Sequence, residues 1–466
     1  MNIQTGIRTD IPPADAFAAF AVRLAHDAVP DEVRTRAVHH MLDAAGIAVA
    51  SAQYPFAAPV LAGLQALGDR GHVPVFGMDA NLSPRDAAIM NGYLGHGLDY
   101  DDTHISAMTH ATVVILPVCL SAAALAGASG REMVTAYIIG IEAAARIGTC
   151  AKSAFHQIGY HPTGIVGTMA ASIAAGRLLG LSAEQIAMAQ GIALSQASGS
   201  MQFLETGAWT KRFHPGWAAQ SGLVAASLAK AGMVGAEEPY EGRFGFFNLF
   251  AGTHRDWVDM GELTEGLGTR WEMMDTGIKP FPTCHLTHGA IDAALSLHNQ
   301  LDPSQIVSIT ARVPHQANPV VCDPIEKKHK PTSDYEAKFS LHYLVAAALM
   351  RGRLTLDELE PEVFTDPALL ALTAKVQHAD MPGTAFPEVY PGGVTVTMDD
   401  GSTVSAEEPV NRGAADRPLS NAEIVAKYRH NAAIGAGPEK VAAMEAAMLG
   451  LNDAADPVEA LRVFSA

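Results

Sequence analysis

Residues 96–110, HGLDYDDTHISAMTH, crowd three aspartates, two threonines and three histidines into fifteen positions. Asp99, Asp101 and Asp102 cannot lie together in a dry interior without strong mutual repulsion, so cations or hydrogen-bond donors must be set against them. With Gly95, Gly97 and Tyr100 kept in the same stretch, the pattern reads as a site; a solvated polar turn is the plain alternative. Three further clusters carry chemistry. GYHPTG, residues 159–164, puts His161 just ahead of a helix start, where free amide groups and the helix dipole favour an anion; a capping histidine is its simpler reading. WTKRFH, residues 209–214, gathers Lys211, Arg212 and His214, or forms a solvated basic patch. KPFPTCH, residues 279–285, followed by His288, flanks an aromatic residue with prolines, a rigid turn that fixes where Lys279 and His285 point.

Metal spacing is poor. His285 and His288 are three apart and His104 and His110 six apart, but there is no HExxH and no cysteine pair at zinc spacing. No metal is expected. Lys211 or Lys279 forming a pyridoxal phosphate Schiff base is disfavoured, because no glycine-rich phosphate loop accompanies either. A nucleophile elbow, a Walker loop and a dinucleotide fingerprint are also missing from the sequence.

The whole chain constrains these clusters. Its 466 residues predict two domains. Hydrophobic residues make up 48% and charged ones 17%, which describes a well-buried globular protein. The formal charge of −18 argues against nucleic acid. Any anion site must therefore gather its own basic groups, which makes the local Lys, Arg and His clusters informative. Cys119, Cys150, Cys284 and Cys322 lie far apart, as in a reduced cytoplasmic protein. MNIQTGIRTDIPP has no apolar core of a secretory signal. Residues 111–128 are uncharged, but Pro117 and the adjacent His110 favour a buried core helix over a membrane span.

The elements that must position the clusters are mostly helical. Capping patterns open helices at Ser83-Pro84-Arg85-Asp86, Ser129-Gly130-Arg131-Glu132, Ser182-Ala183-Glu184-Gln185 and Ser420-Asn421-Ala422-Glu423. Apolar stretches at 133–147 and 164–179 fill the space between, Gly180 ends one of them, and no strand is expected over the first 260 residues. Near residue 300 the period changes to two. Val307, Ile309, Ala311 and Val313 alternate with polar residues, and 393–404 reads as a hairpin turning at Asp400-Gly401. Residues 334–351 return to helical spacing, as does 438–464. The expected fold is mainly α: a large antiparallel helical domain from both chain ends (1–268 and 403–466), with a smaller α+β lid inserted at 269–402.

Taken together and in order, NGYLGHGLDYDDTH (91–104), GYHPTGIVGTMAAS (159–172), TKRFHPGWAAQSG (210–222), KPFPTCHLTHGAIDAAL (279–295) and YEAKFSLHY (335–343) resemble the MmgE/PrpD family. That family includes 2-methylcitrate dehydratase, cis-aconitate decarboxylase and iminodisuccinate epimerase. The resemblance implies a helical domain with an inserted lid, the active site between them, a homodimer, no metal and no organic cofactor. It also implies a small anionic polycarboxylate substrate, and no nucleic-acid or membrane partner. Residue by residue it carries over Asp99, Thr103, His110, His161, Lys211, Lys279 and His285. His110 lies one residue further from Thr103 than in the decarboxylase, with no proline after it, and His285 one residue further from Lys279. Catalysis is expected from Lys211, His161, Lys279, His285 and Asp99, and substrate binding from Thr103, His110, Arg212 and His104.

The chemistry implied is removal of a proton α to a carboxylate, with fixed cations meeting the developing charge and a base of suitable pKa supplied by crowded lysines and histidines. Lys211 with His161 would work one face and Lys279 with His285 the other. Return of the proton on the far face gives an epimerase of the iminodisuccinate type, the favoured expectation. Loss of hydroxyl or carboxylate gives a lyase. A non-catalytic binding protein on the same scaffold is the third possibility.

Overall fold

Ser83, Ser129, Ser182 and Ser420 each cap a helix start with the side chain. In the computed structural model, which describes residues 11–68, 70–386 and 389–466, Ser83 accepts from the Asp86 amide, with Pro84 as the first helical residue. Ser129, Ser182 and Ser420 each close a reciprocal capping box with Glu132, Gln185 and Glu423. Each box satisfies amides that a helix start otherwise leaves open. Gly180, at φ +72°, ends the run behind Pro162–Leu178.

The fold is mainly α. The larger of two units draws on both ends of the chain, up to Thr276 and again from Ser420; the smaller is Gly277–Leu419. In the larger unit the Thr210–Lys230 helix packs on Pro162–Leu178 and Pro84–Gly95. Gly222 makes the first of these contacts possible, since a Cβ there would stand 2.4 Å from that of Ala171. The 22-residue helix Gly130–Ala151 is apolar and long enough to cross a membrane, yet 94% of its most apolar stretch is buried inside the protein. Ile138, Ile139 and Ile141 in it are fully covered, each contributing roughly 1.5–3 kcal/mol. Residues Thr112–Ala126 form the expected core helix, with Pro117 inside it.

In the smaller unit a four-stranded sheet runs Val376–Asp380, Ile306–Val313, Gly392–Met398, Thr403–Glu408, the first pair parallel and the rest antiparallel. Helices His288–Leu297 and Leu341–Arg351 pack on it.

Several expectations need correction. A short ladder, Arg70–Pro74 with Asn81–Leu82, interrupts the first helical stretch. Val307 does not point inward. A register shift between Ile306 and Ser308 buries Ile306 and leaves Val307 exposed, as a bulge does by reversing the alternation locally. The helix expected over 334–351 breaks into Asp334–Lys338 and Leu341–Arg351, the second capped by Ser340. The inserted unit begins later than residue 269, because Glu272 is tied to His104 and Arg146 of the larger unit. It ends later than 402, because Thr403–Glu408 is the partner strand of Gly392–Met398.

Candidate functional site

Two glycines bring the first cluster to the third. A Cβ on Gly92 would stand 2.6 Å from the Gly216 Cα, and one on Gly216 would stand 2.1 Å from the Ile89 carbonyl oxygen. Helices Pro84–Gly95 and Thr210–Lys230 can approach this closely only without side chains at the crossing. The end of one helix is thereby set beside the start of the other. Pro215 cannot donate the helical bond to the Lys211 carbonyl, which sets the first turn apart from the rest of its helix.

Asp99 follows that crossing in the left-handed region, φ +55°, which Asp tolerates better than most side chains. Lys211 Nζ donates to its Oδ1 at 2.7 Å, and both side chains remain partly open to solvent. Arg212 also contacts the loop. Its Nε donates to the Gly97 carbonyl at 2.6 Å and its guanidinium lies 4.4 Å over the Phe56 ring, so it clamps the loop.

Around this ion pair stand four imidazoles. His96 Nδ1 is 2.9 Å from both oxygens of Asp101, a dyad closed to solvent. His110 Nδ1 lies 2.8 Å from the Asp102 carbonyl oxygen, 3.2 Å from Thr103 Oγ1 and 3.3 Å from Asp101. The extra residue before His110 is absorbed locally. His104 and Thr109 pair across a bridge, Met108 turns at φ +51°, and His110 returns to Thr103. His161 Nδ1 lies 3.1 Å from His214 Nδ1. The His96 ring stacks on His161 with centroids 5.6 Å apart and meets His110 at 4.8 Å.

Burial, then the charge of Lys211 and the neighbouring rings, holds His161 well below the usual imidazole value. Burial, with His96 and Lys211, takes His214 down to about 4. Both are neutral near pH 7, so one ring donates its Nδ1 proton to the Nδ1 of the other, and the donating ring keeps Nε2 as a base. Asp102 behaves oppositely. Burial pushes its carboxyl up, but hydrogen bonds from His40, at 2.9 Å, and from the Thr112 hydroxyl outweigh that and carry it down. One ligand atom each from His96, His110 and His161, or from His96, Asp99 and Asp101, lie within 4.8 Å of one another, a set able to hold a divalent cation. The ammonium of Lys211 acting on His161 favours an anion instead.

His104 does not join this group. It accepts from the Ala107 amide through Nδ1 at 3.2 Å and reaches Glu272 through Nε2 at 3.1 Å, so both ring nitrogens serve the fold. Burial opposes ionisation of Glu272, yet His104, Arg146 and Arg270 hold it down to about 2.

In the smaller unit Lys279 is buried. His285 lies within 4.5 Å of the His288 ring and 4.9 Å of Tyr390, centroid to centroid. Asn411 Oδ1 accepts from the Tyr390 amide at 3.1 Å, which leaves its Nδ2 to donate to His285 Nε2 at 3.1 Å. That bond assigns the His285 proton to Nδ1. His96, Asp101, His214 and Asn411 were not among the expected site residues. The first three lie inside the stretches that drew attention, adjacent to the residues chosen; Asn411 lies in a segment with no chemical pattern.

Residues 15–257 match the model of the MmgE/PrpD N-terminal domain, and residues 281–452 that of the C-terminal domain. The chain belongs to the MmgE/PrpD family. Among its relatives, human (Homo sapiens) cis-aconitate decarboxylase is 30% identical, aligning over 76% of this chain and 74% of its own. The cis-aconitate decarboxylase of Aspergillus terreus is 28% identical over 98% of this chain and 95% of its own. The 2-methylcitrate dehydratase of Cupriavidus necator is 25% identical over 88% of both chains. These relatives are named as decarboxylases and a dehydratase.

Proposed function

We propose that this protein is an acid–base lyase acting on a small polycarboxylate. The observation that carries the reading is a neutral imidazole, His161, held next to the ammonium of Lys211, which in turn is paired with Asp99. A base beside a cation is what proton transfer next to a carboxylate requires. In a dehydration the base takes the α-proton, the electron pair forms the new double bond, and hydroxyl departs with a proton from an acid. In a decarboxylation carbon dioxide departs, its bonding pair stays on carbon, and an acid supplies the proton. His161 and Lys211 are assigned the proton transfers, Asp99 the orientation of Lys211, and Thr103 with His110 the binding of a carboxylate. Lys279 and His285 are assigned to the same chemistry by the sequence pattern.

The lyase reading replaces the epimerase as first choice because the named relatives are decarboxylases and a dehydratase. The longer spacings at Thr103–His110 and Lys279–His285 favour keeping an epimerase as the second reading. One experiment separates them: incubation with cis-aconitate, 2-methylcitrate and iminodisuccinate in deuterated water. Release of carbon dioxide or water, with a change in alkene absorbance, supports the lyase. Deuterium in recovered substrate with an intact carbon skeleton supports the epimerase. No turnover and no exchange with any of the three overturns the acid–base reading.

A further inference from the structure

The loop that ends at Asp99 is held by a residue that arrives from the far end of the chain. Lys427, on the helix Asn421–Ala432, donates through Nζ to the Tyr100 carbonyl at 2.8 Å and to Asp43 Oδ2 at 2.9 Å. Its ammonium also lies 3.8 Å from the centre of the Tyr100 ring. All of these groups are buried, and Asp43 is 1% exposed. A buried ammonium is expensive to desolvate, and three directed contacts on one loop residue and its counter-ion are a specific arrangement rather than a solvated surface charge.

The neighbouring positions are held as firmly by other groups. Asp101 meets His96, and Asp102 meets His40 and Thr112. Residues 100, 101 and 102 are thus pinned in succession, and Asp99 is the first residue ahead of them. Its left-handed backbone, φ +55°, is uncommon for a residue with a side chain, and although Asp tolerates it better than most, its surroundings must offset the cost. Tyr100 is the adjacent anchor on that side.

We propose that Lys427 is a positioning residue for catalysis: by holding the Tyr100 carbonyl against Asp43, it keeps Asp99 in the backbone conformation that presents its carboxylate to Lys211. The proposal rests on the acid–base reading of the Asp99–Lys211 pair. Lys427 contacts Tyr100 and Asp43, so its loss is expected to act on the rate of the bound complex more than on substrate affinity.

The test uses Lys427→Met, Lys427→Arg and the double variant Asp43→Asn/Lys427→Met. The double variant removes both buried charges and so avoids leaving an unpaired carboxylate, which keeps a folded protein available if Lys427→Met does not fold. Two readouts are taken: kcat and KM on the substrate turned over by the wild type, and hydrogen–deuterium exchange of the peptide covering residues 97–104. Misplacement of a catalytic group by an ångström can lower a rate about 100-fold. The expected result is a kcat at least about tenfold lower with KM little changed, faster exchange confined to 97–104, and partial recovery of both in Lys427→Arg. Wild-type kcat, or wild-type exchange at 97–104, in a folded variant overturns the proposal. If the wild type turns over none of the polycarboxylates, the acid–base reading has failed, and the exchange data alone decide whether Lys427 holds the loop.

Discussion

Lys211 and Asp99 are 112 positions apart in sequence and 2.7 Å apart in space, joined by a charge-assisted hydrogen bond. The pair exists because Gly92 and Gly216 let two helices cross at backbone contact distance.

Lys211→Met removes the cation and keeps the apolar stem. Turnover should fall at least about 100-fold, the scale of a lost general acid–base group, while circular dichroism stays that of the wild type. Asp99→Asn keeps a residue that tolerates the left-handed conformation and should lose less. Equal activity of the wild type and Lys211→Met would remove Lys211 from the mechanism.

Gly216→Ala places a methyl group 2.1 Å from the Ile89 carbonyl oxygen. Overpacking of this kind costs roughly 1–3 kcal/mol, and here it also separates the two helices that carry the ion pair. Urea unfolding should show the destabilisation, and turnover should fall beyond what the lost folded fraction explains.

The folded value of His214, about 4, lies below its ordinary 6.5 because of burial, His96 and Lys211. Between those pH values the unfolded chain binds a proton at this residue that the folded chain does not. Its contribution is therefore whole above pH 6.5 and is lost as pH falls toward 4. His214→Asn should flatten the acid side of the stability profile by up to about 1.4 kcal/mol per pH unit. Chemical unfolding of both proteins at pH 5 and pH 7 measures it; identical slopes would show that His214 is not depressed.

Arg146 is fully buried, reaching the Arg270 carbonyl at 2.9 Å, Glu142 at 3.4 Å and Glu272 at 3.7 Å. Arg146→Met takes the cation from buried Glu142, while Glu272 keeps His104 and Arg270, and should destabilise the fold by about 3–5 kcal/mol. Burial raises Glu142 to about 7 against the pull of Arg146, so Glu142→Gln added to Arg146→Met should recover part of the loss in equilibrium unfolding.

Much of this architecture is local in origin and was legible in the chain. A serine three residues ahead of an acidic residue or glutamine caps a helix by a bond within one turn, so Ser129, Ser182 and Ser420 announced their helices without reference to anything distant. Asp400-Gly401 likewise announced its hairpin, with Gly401 at φ +83°. The Val376–Asp380 strand was not legible, because VQHAD has no two-residue alternation and forms by pairing with Ile306–Val313.

The residue types of the site were written in the sequence, since aspartates, histidines and lysines at that density need partners wherever the chain takes them. Which partner each one met was decided by tertiary packing. His104 looks as reactive as its neighbours on paper, yet Glu272 and the Ala107 amide claim both its ring nitrogens. His96, Asp101 and Lys427 gain their importance only from what stands opposite. Hydrogen bonds are settled over about 3 Å, and sequence spacing does not specify distances of that size between segments a hundred or more residues apart.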